Sequence, residues 1–282
     1  MKGLGLIAGQ GDMPRAIALE ARRQGYRVVA AALRGLADES IGRHADAVEW
    51  FKAGKVGAII KFLRANGAQE ALFAGKFPKD LIVRGTLSPD LRLFKFLFNL
   101  RDRGDDTILN SVARELARDG IRLLDMRDFC REMLAPEGPL TRRRPGRDEW
   151  RDIRYGFGIA KGVGRLEIGQ TVVVKDRAVM AVEAVEGTDE AILRGGGLAG
   201  GGAVVVKVSR PGQDMRMDLP VVGLATLDCM VRAGAGALAI EASSSILIER
   251  DELIRKADEA GIAIAGVTEA SLKEKPRSPR GG

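Results

Sequence analysis

Two stretches in the second half of the chain set carboxylates beside hydroxyl and cationic side chains. The first, AVMAVEAVEGTD, runs from Ala178 to Asp189, and the second, KVSRPGQDMRMDLPVVG, from Lys207 to Gly223. Both contain glycine and lie against β-like apolar segments. Carboxylates can hold a divalent cation while Lys and Arg neutralise phosphate oxygens, so the mixture suits metal-assisted chemistry on a phosphate. Asp214, Arg216 and Asp218 stand at i, i+2 and i+4, and share one face if the chain is extended. Two carboxylates around an Arg could hold a magnesium ion and a phosphate side by side. A solvated strand with a local ion pair is the plainer alternative. Glu183 and Glu186 fall on opposite faces of a strand, so they need not share one metal.

A second set of candidates lies near the start. GLIAGQGDMP places Gly9-x-Gly11 between a strand and a helix, where glycines let backbone approach an anion. The third small residue of a dinucleotide fingerprint is missing, because Pro14 stands there, and Leu33-Arg34 rather than an acid ends the second strand. A dinucleotide-binding oxidoreductase is therefore the alternative reading. Gly75 and Lys76, in AGKFPKD, follow the third strand and should share the sheet edge of Gly9 to Asp12. Asp105 and Asp106 open a helix, where acids complement the dipole. His44 is the one histidine and has no second ligand nearby, so the chemistry falls to carboxylates, Lys, Thr and a metal.

The chain of 282 residues, 45% hydrophobic, is long enough for two ordinary domains with sizeable cores. A 5% aromatic share argues against a base-stacking platform for single strands. The net charge of +7 gathers partly in TRRRPGR (Thr141 to Arg147) and KEKPRSPR (Lys273 to Arg280), which fit anionic lipid, a phosphorylated substrate or nucleic acid. Cys130 and Cys229 lack any paired spacing and read as reduced core thiols of a cytoplasmic protein. The opening MKGLGLIAG is too short an apolar run for a signal peptide, and no run approaches a membrane span.

The elements that must position these residues alternate. Strands are predicted at Leu4 to Ala8, Arg27 to Leu33, Glu70 to Ala74 and Ile121 to Asp125, with helices at Pro14 to Gln24, Val56 to Asn66, Asp90 to Leu100, Asp105 to Arg118 and Met126 to Leu134. Asp12 is placed to cap the first helix, and Pro14 suits its first turn. This βαβ rhythm favours a parallel sheet covered on both faces. APEGPLTRRRPG breaks it and reads as a linker. Beyond it a helix is expected over Trp150 to Gly162, and strands near Gln170 to Val174 and Ala178 to Val185, turning at Asp176-Arg177. GGGLAGGG (Gly195 to Gly202) reads as a flexible surface loop. Strands Ala203 to Val208, Ala237 to Glu241 and Ile262 to Gly266 follow, with helices around Thr226 to Ala233 and Asp251 to Ala260, and the last ten residues read as disordered. The expected domains are 1–134, a linker 135–148, a C-terminal α/β domain 149–272 and a basic tail 273–282.

GLIAGQGDMP, the AGK run, RDRGDD, GRLEIGQTVVVKD, AVEAVEGTD, QDMRMDLPVVG and AGAGALAIEA occur in an order that resembles the LpxI family, the UDP-2,3-diacylglucosamine pyrophosphatases of lipid A biosynthesis. The resemblance covers nearly the whole chain. It implies a Rossmann-like N-terminal domain joined to a distinct α/β C-terminal domain, with the substrate between them. It implies Mg²⁺-dependent hydrolysis to UMP and 2,3-diacylglucosamine 1-phosphate. The aspartate of the family's R-x-D-L-P segment is Asp218, with Asp214 and Arg216 as companions in catalysis and Asp218, Asp214 and Glu183 as candidate metal ligands. Gly11, Asp12, Gly75, Lys76, Gln170, Thr188 and Lys207 match motifs that line the family's site. Two departures are Ser209-Arg210 before Pro211, where Lys is common, and Glu167, where Asp is usual. Phe94 to Leu100 is one candidate wall for acyl chains. The implied partners are a lipid-linked UDP-sugar, the inner face of the cytoplasmic membrane as a peripheral surface, and a second copy in a homodimer, with no nucleic acid.

Overall fold

Largely buried apolar strands of two to seven residues, separated by amphipathic helices, build two compact units in the computed structural model. The structure describes residues 1–77, 90, 92, 105–212 and 219–273. The expected helix at Asp90 to Leu100, the FKFLFNL wall, the trio Asp214, Arg216 and Asp218, and most of the basic tail therefore lie outside the described residues.

The first unit covers residues 1–131. Its strands β1 (Gly3–Ala8), β2 (Arg27–Leu33), β3 (Ala47–Phe51), β4 (Ala68–Ala74) and β5 (Arg122–Leu123) form one parallel sheet in the order β3-β2-β1-β4-β5. β1 is buried along its whole length, as expected for a central strand covered on both faces. Helices α1 (Met13–Arg23), α2 (Val56–Ala65), α3 (Asp105–Arg118) and the single turn α4 (Met126–Phe129) accompany it. Ile59, Ile60 and Leu63 of α2 pack with Val29, Phe51, Phe73 and Leu116. β3 escaped the sequence reading because AVEWF is a half-exposed edge strand with only Phe51 buried. The helix expected over Met126 to Leu134 stops at Phe129 and gives way to a 3₁₀ turn at Arg131–Met133.

The second unit comprises the rest of the described chain. β6 (Gly138–Pro139), β7 (Thr171–Lys175), β8 (Ala178–Val182), β9 (Val204–Lys207), β11 (Ala237–Glu241) and β13 (Ala263–Val267) form a mixed sheet in the order β6-β13-β11-β9-β7-β8. β10 (Val221–Val222) and β12 (Ile246–Leu247) make a separate parallel pair. α5 (Arg147–Arg165) covers one face, with Ile153, Phe157 and Ala160 against Val172, Val174, Val204 and Val206. α6 (Thr188–Ala199), α7 (Leu224–Arg232) and α8 (Arg250–Glu259) cover the other, over Val173, Val205, Leu238 and Ile264. A short α9 (Glu269–Lys273) ends the described chain. The β7–β8 turn holds Asp176 and Arg177 at φ 53° and 59°, the left-handed pair that a two-residue hairpin needs. Both amides of that turn donate to the buried Asp152 carboxylate, at 2.9 and 2.7 Å.

The glycine run corrects the sequence reading. Gly195, Gly196 and Gly197 are helical turns of α6, not a surface loop. A Cβ at Gly195 would stand 2.6 Å from Val173 Cβ, and one at Gly196 would stand 2.5 Å from Ala233 Cβ. Close packing of helix on sheet and helix on helix, rather than flexibility, requires glycine there.

Residues expected as a linker are hydrogen-bonded into the second unit. Ala135 N–H donates to Ser245 O, Leu140 N–H to Ile264 O, and Ile264 N–H to Thr141 Oγ1, each at 2.8 Å.

Candidate functional site

On the face of the second sheet opposite α5, three polar side chains stand in one row across three strands. Antiparallel pairing of β7 with β9 sets Thr171 opposite Lys207, and Glu183 N–H, one residue past β8, donates to Thr171 O at 2.9 Å. The row is buried: Glu183 is 8% exposed, Thr171 0% and Lys207 4%. α6 begins directly above it. Gly187, at φ 87°, turns the chain so that Thr188 opens the helix and points its hydroxyl down at the row. Thr188 Oγ1 donates to Glu183 Oε1 at 2.8 Å and accepts from Lys207 Nζ at 3.2 Å. Lys207 Nζ also donates to the Val221 carbonyl at 2.9 Å, and Gln170 N–H donates to Glu183 Oε2 at 3.2 Å. The arrangement links a buried ammonium, a hydroxyl and a carboxylate through two consecutive hydrogen bonds.

Four of the sequence-nominated residues, Gln170, Glu183, Thr188 and Lys207, are thus brought together. Two oxygens inside the cluster, Gln170 Oε1 and Thr171 Oγ1, have no hydrogen-bond partner among the described residues. A buried polar atom without a partner costs about 1–3 kcal/mol, so these oxygens mark a place where a ligand or water group belongs. Thr171 was missed because a β-branched residue in TVVVK reads as strand-forming.

Glu183 already accepts a hydroxyl and an amide, and an ammonium lies one hydroxyl away. Among the described residues no group of three acidic, His or Cys side chains could hold a metal. The described site alone does not fit a divalent cation. Glu186 is instead paired with Arg194 at 2.5 Å, and its own amide and that guanidinium hold its carboxyl below the usual range. Both cysteines are buried; burial pushes the Cys130 thiol up to about 12 and raises Cys229 as well, so neither is a ready nucleophile.

In the first unit the nominated residues gather at the carboxyl ends of β1 and β4, where the strand order reverses about β1. Such a switch point is where open α/β sheets bind ligands. The two loops there are zipped together: Gly9 N–H donates to Ala74 O at 2.8 Å, Gln10 N–H to Lys76 O at 3.0 Å, and Lys76 N–H to Gln10 O at 2.8 Å. A Cβ at Gly75 would stand 2.6 Å from Gln10 O, so this glycine serves loop-on-loop packing. Gly11, at φ 96°, faces open space, and Asp12 and Lys76 are exposed. Asp12 occupies the N-cap position of α1, but its side chain makes no capping bond. Its backbone, at φ −78° and ψ −14°, is already helical, not the extended conformation from which a cap reaches the first turn. That carboxylate is left to solvent. β2 ends at Leu33, and Arg34 bonds to Trp50 O and Phe51 O, so no acid stands where a nicotinamide enzyme holds a ribose.

A family model described as the LpxI N-terminal domain matches residues 3–133, and one described as the LpxI C-terminal domain matches residues 136–265. A protein of Caulobacter vibrioides named UDP-2,3-diacylglucosamine pyrophosphatase LpxI is 34% identical over 278 residues, covering 95% of this chain and 98% of that one. Among solved structures, N5-carboxyaminoimidazole ribonucleotide synthetase from Thermotoga maritima is 17% identical with a TM-score of 0.24, covering 65% of this chain and 41% of that one, a likeness too slight to carry weight.

Proposed function

The chain belongs to the LpxI family, and from that premise we propose that it hydrolyses the diphosphate of UDP-2,3-diacylglucosamine to UMP and 2,3-diacylglucosamine 1-phosphate. One observation supports this reading most: the buried Glu183–Thr188–Lys207 relay, built at the strand ends of the C-terminal unit from residues of the matching motifs. Lys207 supplies positive charge, and its ammonium is held in place before any phosphate arrives. Fixed charge of this kind favours the more negative transition state and needs no reorganisation. Thr188 keeps the ammonium directed, and Glu183 keeps Thr188 directed. Arg216 adds a second cation on the neighbouring segment. Asp218 and Asp214 would hold a divalent cation, which we take to be Mg²⁺, and orient water. When bound, that ion neutralises phosphate charge and lowers the pKa of a water molecule. Glu183 enters as the acid that orders Thr188, Gly11, Asp12, Lys76 and Gln170 as substrate contacts, and Gly75 as the residue that lets the loop carrying Lys76 pack on Gln10.

Turnover of UDP-2,3-diacylglucosamine, followed by mass detection of both products, is the direct test. Activity is expected with Mg²⁺ and is expected to vanish after exhaustive EDTA treatment, returning with added metal. Full turnover in EDTA removes the cation from the mechanism. Absence of both products under every divalent metal removes the function.

We place the protein in the cytoplasm, at the inner face of the membrane. No helix among the described residues is long and apolar enough to cross a membrane, so contact would be peripheral. Arg142, Arg143 and Arg144 are exposed; Arg142 Nε lies 3.6 Å from Asp258 Oδ2 and Arg143 is taken by Glu149 at 2.7 Å, which leaves Arg144 as the cation of the three with no such ion pair among the described residues. Each free cation near an anionic surface contributes about 1 kcal/mol, which gives weak, reversible binding. Co-sedimentation with anionic liposomes is expected at low salt and lost at high salt. Failure to co-sediment even at low salt would mean that the lipid reaches the enzyme by another route.

A further inference from the structure

A second polar cluster lies on the α5 side of the C-terminal sheet, where that helix covers the ends of β9 and β11. Lys161 Nζ donates to Glu241 Oε2 at 2.6 Å, to Ser209 O at 2.9 Å and to Ser209 Oγ at 3.3 Å. The Ser209 N–H and hydroxyl in turn donate to Glu241 Oε2, at 2.8 and 2.6 Å. Every polar group of Ser209 is therefore bound by one ion pair. Lys161 Nζ also lies 5.7 Å from the ring centre of Phe157, one turn earlier on α5. Three residues further along the helix, a Cβ at Gly164 would stand 3.2 Å from Pro211 Cδ and 3.3 Å from Arg210 Cα. The chain leaving β9 is thus pressed against the helix immediately after the clamp. Ser209 comes two residues after Lys207 and five before Asp214.

The pair is not needed to hold α5, which is anchored by Ile153, Phe157 and Ala160 in the apolar core. A partly buried ion pair gains little net stability, because desolvation offsets its attraction. What depends on it alone is the backbone of Ser209. We propose that Lys161 and Glu241 are positioning residues of the pyrophosphatase reaction, locking the exit of β9 so that Lys207, two residues before Ser209, keeps one fixed backbone geometry. The proposal rests on the hydrolase reading for its rate, though not for the clamp itself.

The test uses Lys161→Met, Glu241→Ala and the conservative Lys161→Arg in the full chain, with Mg²⁺ and UDP-2,3-diacylglucosamine. A misplacement of about 1 Å costs on the order of 100-fold, so kcat is expected to fall roughly 10- to 100-fold in the first two variants, with KM within about 3-fold. Hydrogen exchange at the Ser209 amide should accelerate at least ~10-fold in Glu241→Ala, which removes its acceptor, and the melting temperature should fall because Lys161 is left unpaired. Lys161→Arg keeps the donors and should recover most of kcat. Where a lone charge prevents folding, the neutral pair Lys161→Met/Glu241→Ala carries the same expectations for kcat and for exchange at Ser209. A folded Lys161→Met or neutral-pair protein with wild-type kcat overturns the proposal. So does a loss of kcat that follows lowered stability without faster exchange at Ser209. If the unaltered protein itself does not turn over the lipid, the hydrolase reading and the positioning role fall together, and exchange at Ser209 then reports on the clamp alone.

Discussion

Asp218→Ala is expected to lower kcat by at least ~100-fold, the scale set by removal of a single charge-stabilising group from a reaction centre. KM should change little. A carboxylate is short and anionic and contributes poorly to holding a large lipid nucleotide; most ground-state affinity should come from buried acyl chains and uridine contacts. Removing a group that acts mainly in the transition state lowers kcat and kcat/KM together. The backbone just beyond Asp218 is anchored. Leu219 is buried, Pro220 O accepts from Ile246 N–H at 2.8 Å, and Val221 O accepts from Lys207 Nζ. Asp218 thus sits three residues before the carbonyl that the buried ammonium holds. Asp214→Ala on the same segment tests the companion acid and should also lower kcat, by less than Asp218→Ala does. Near wild-type kcat in a folded Asp218→Ala protein refutes the assignment, and loss of substrate binding with folding intact would move the residue from chemistry to recognition.

Lys207→Met is expected to lower kcat/KM by a factor on the order of 100, with a folded protein that loses roughly 1–3 kcal/mol of stability. Met fills most of the lysine's volume, so the cost of packing is small. The Val221 carbonyl loses its donor, and Thr188 keeps Glu183 but no longer has an ammonium to direct. Lys207→Arg should not restore activity. The site is 4% exposed and shaped around a compact ammonium, whereas guanidinium is broad and planar. Steady-state kinetics beside thermal unfolding separates the two effects. Unchanged kcat/KM in either variant would place phosphate charge neutralisation elsewhere.

How much of this could be read from the sequence depended on whether the signal was local. Strands such as Leu4 to Ala8 and Arg27 to Leu33 were legible because apolar runs bounded by turn residues mark buried strands. The Asp176-Arg177 turn was legible because it interrupts two such runs. Glu183, Thr188 and Lys207 could be nominated because their motifs are compact. Their mutual contact could not, since it depends on the register of β7 against both β8 and β9. Lys161 and Glu241 left no trace, being 80 residues apart on a helix and a strand that each look ordinary. The C-terminal half of α6 was hidden by composition: a glycine run reads as loop wherever the tertiary neighbours that demand glycine are unknown.

That helix carries a consequence for how the protein folds. Glycine in a helix interior is about 1 kcal/mol less favourable than alanine, and α6 contains three in succession. Such a segment has little tendency to coil before the surfaces of Val173 and Ala233 exist to receive it. α6 should therefore order late, after β7 and α7 have met, and melt with them as one cooperative block. Because Thr188 is its first residue, the buried ammonium acquires its hydroxyl neighbour only in the last act of assembly, and loss of that block dismantles the relay with it.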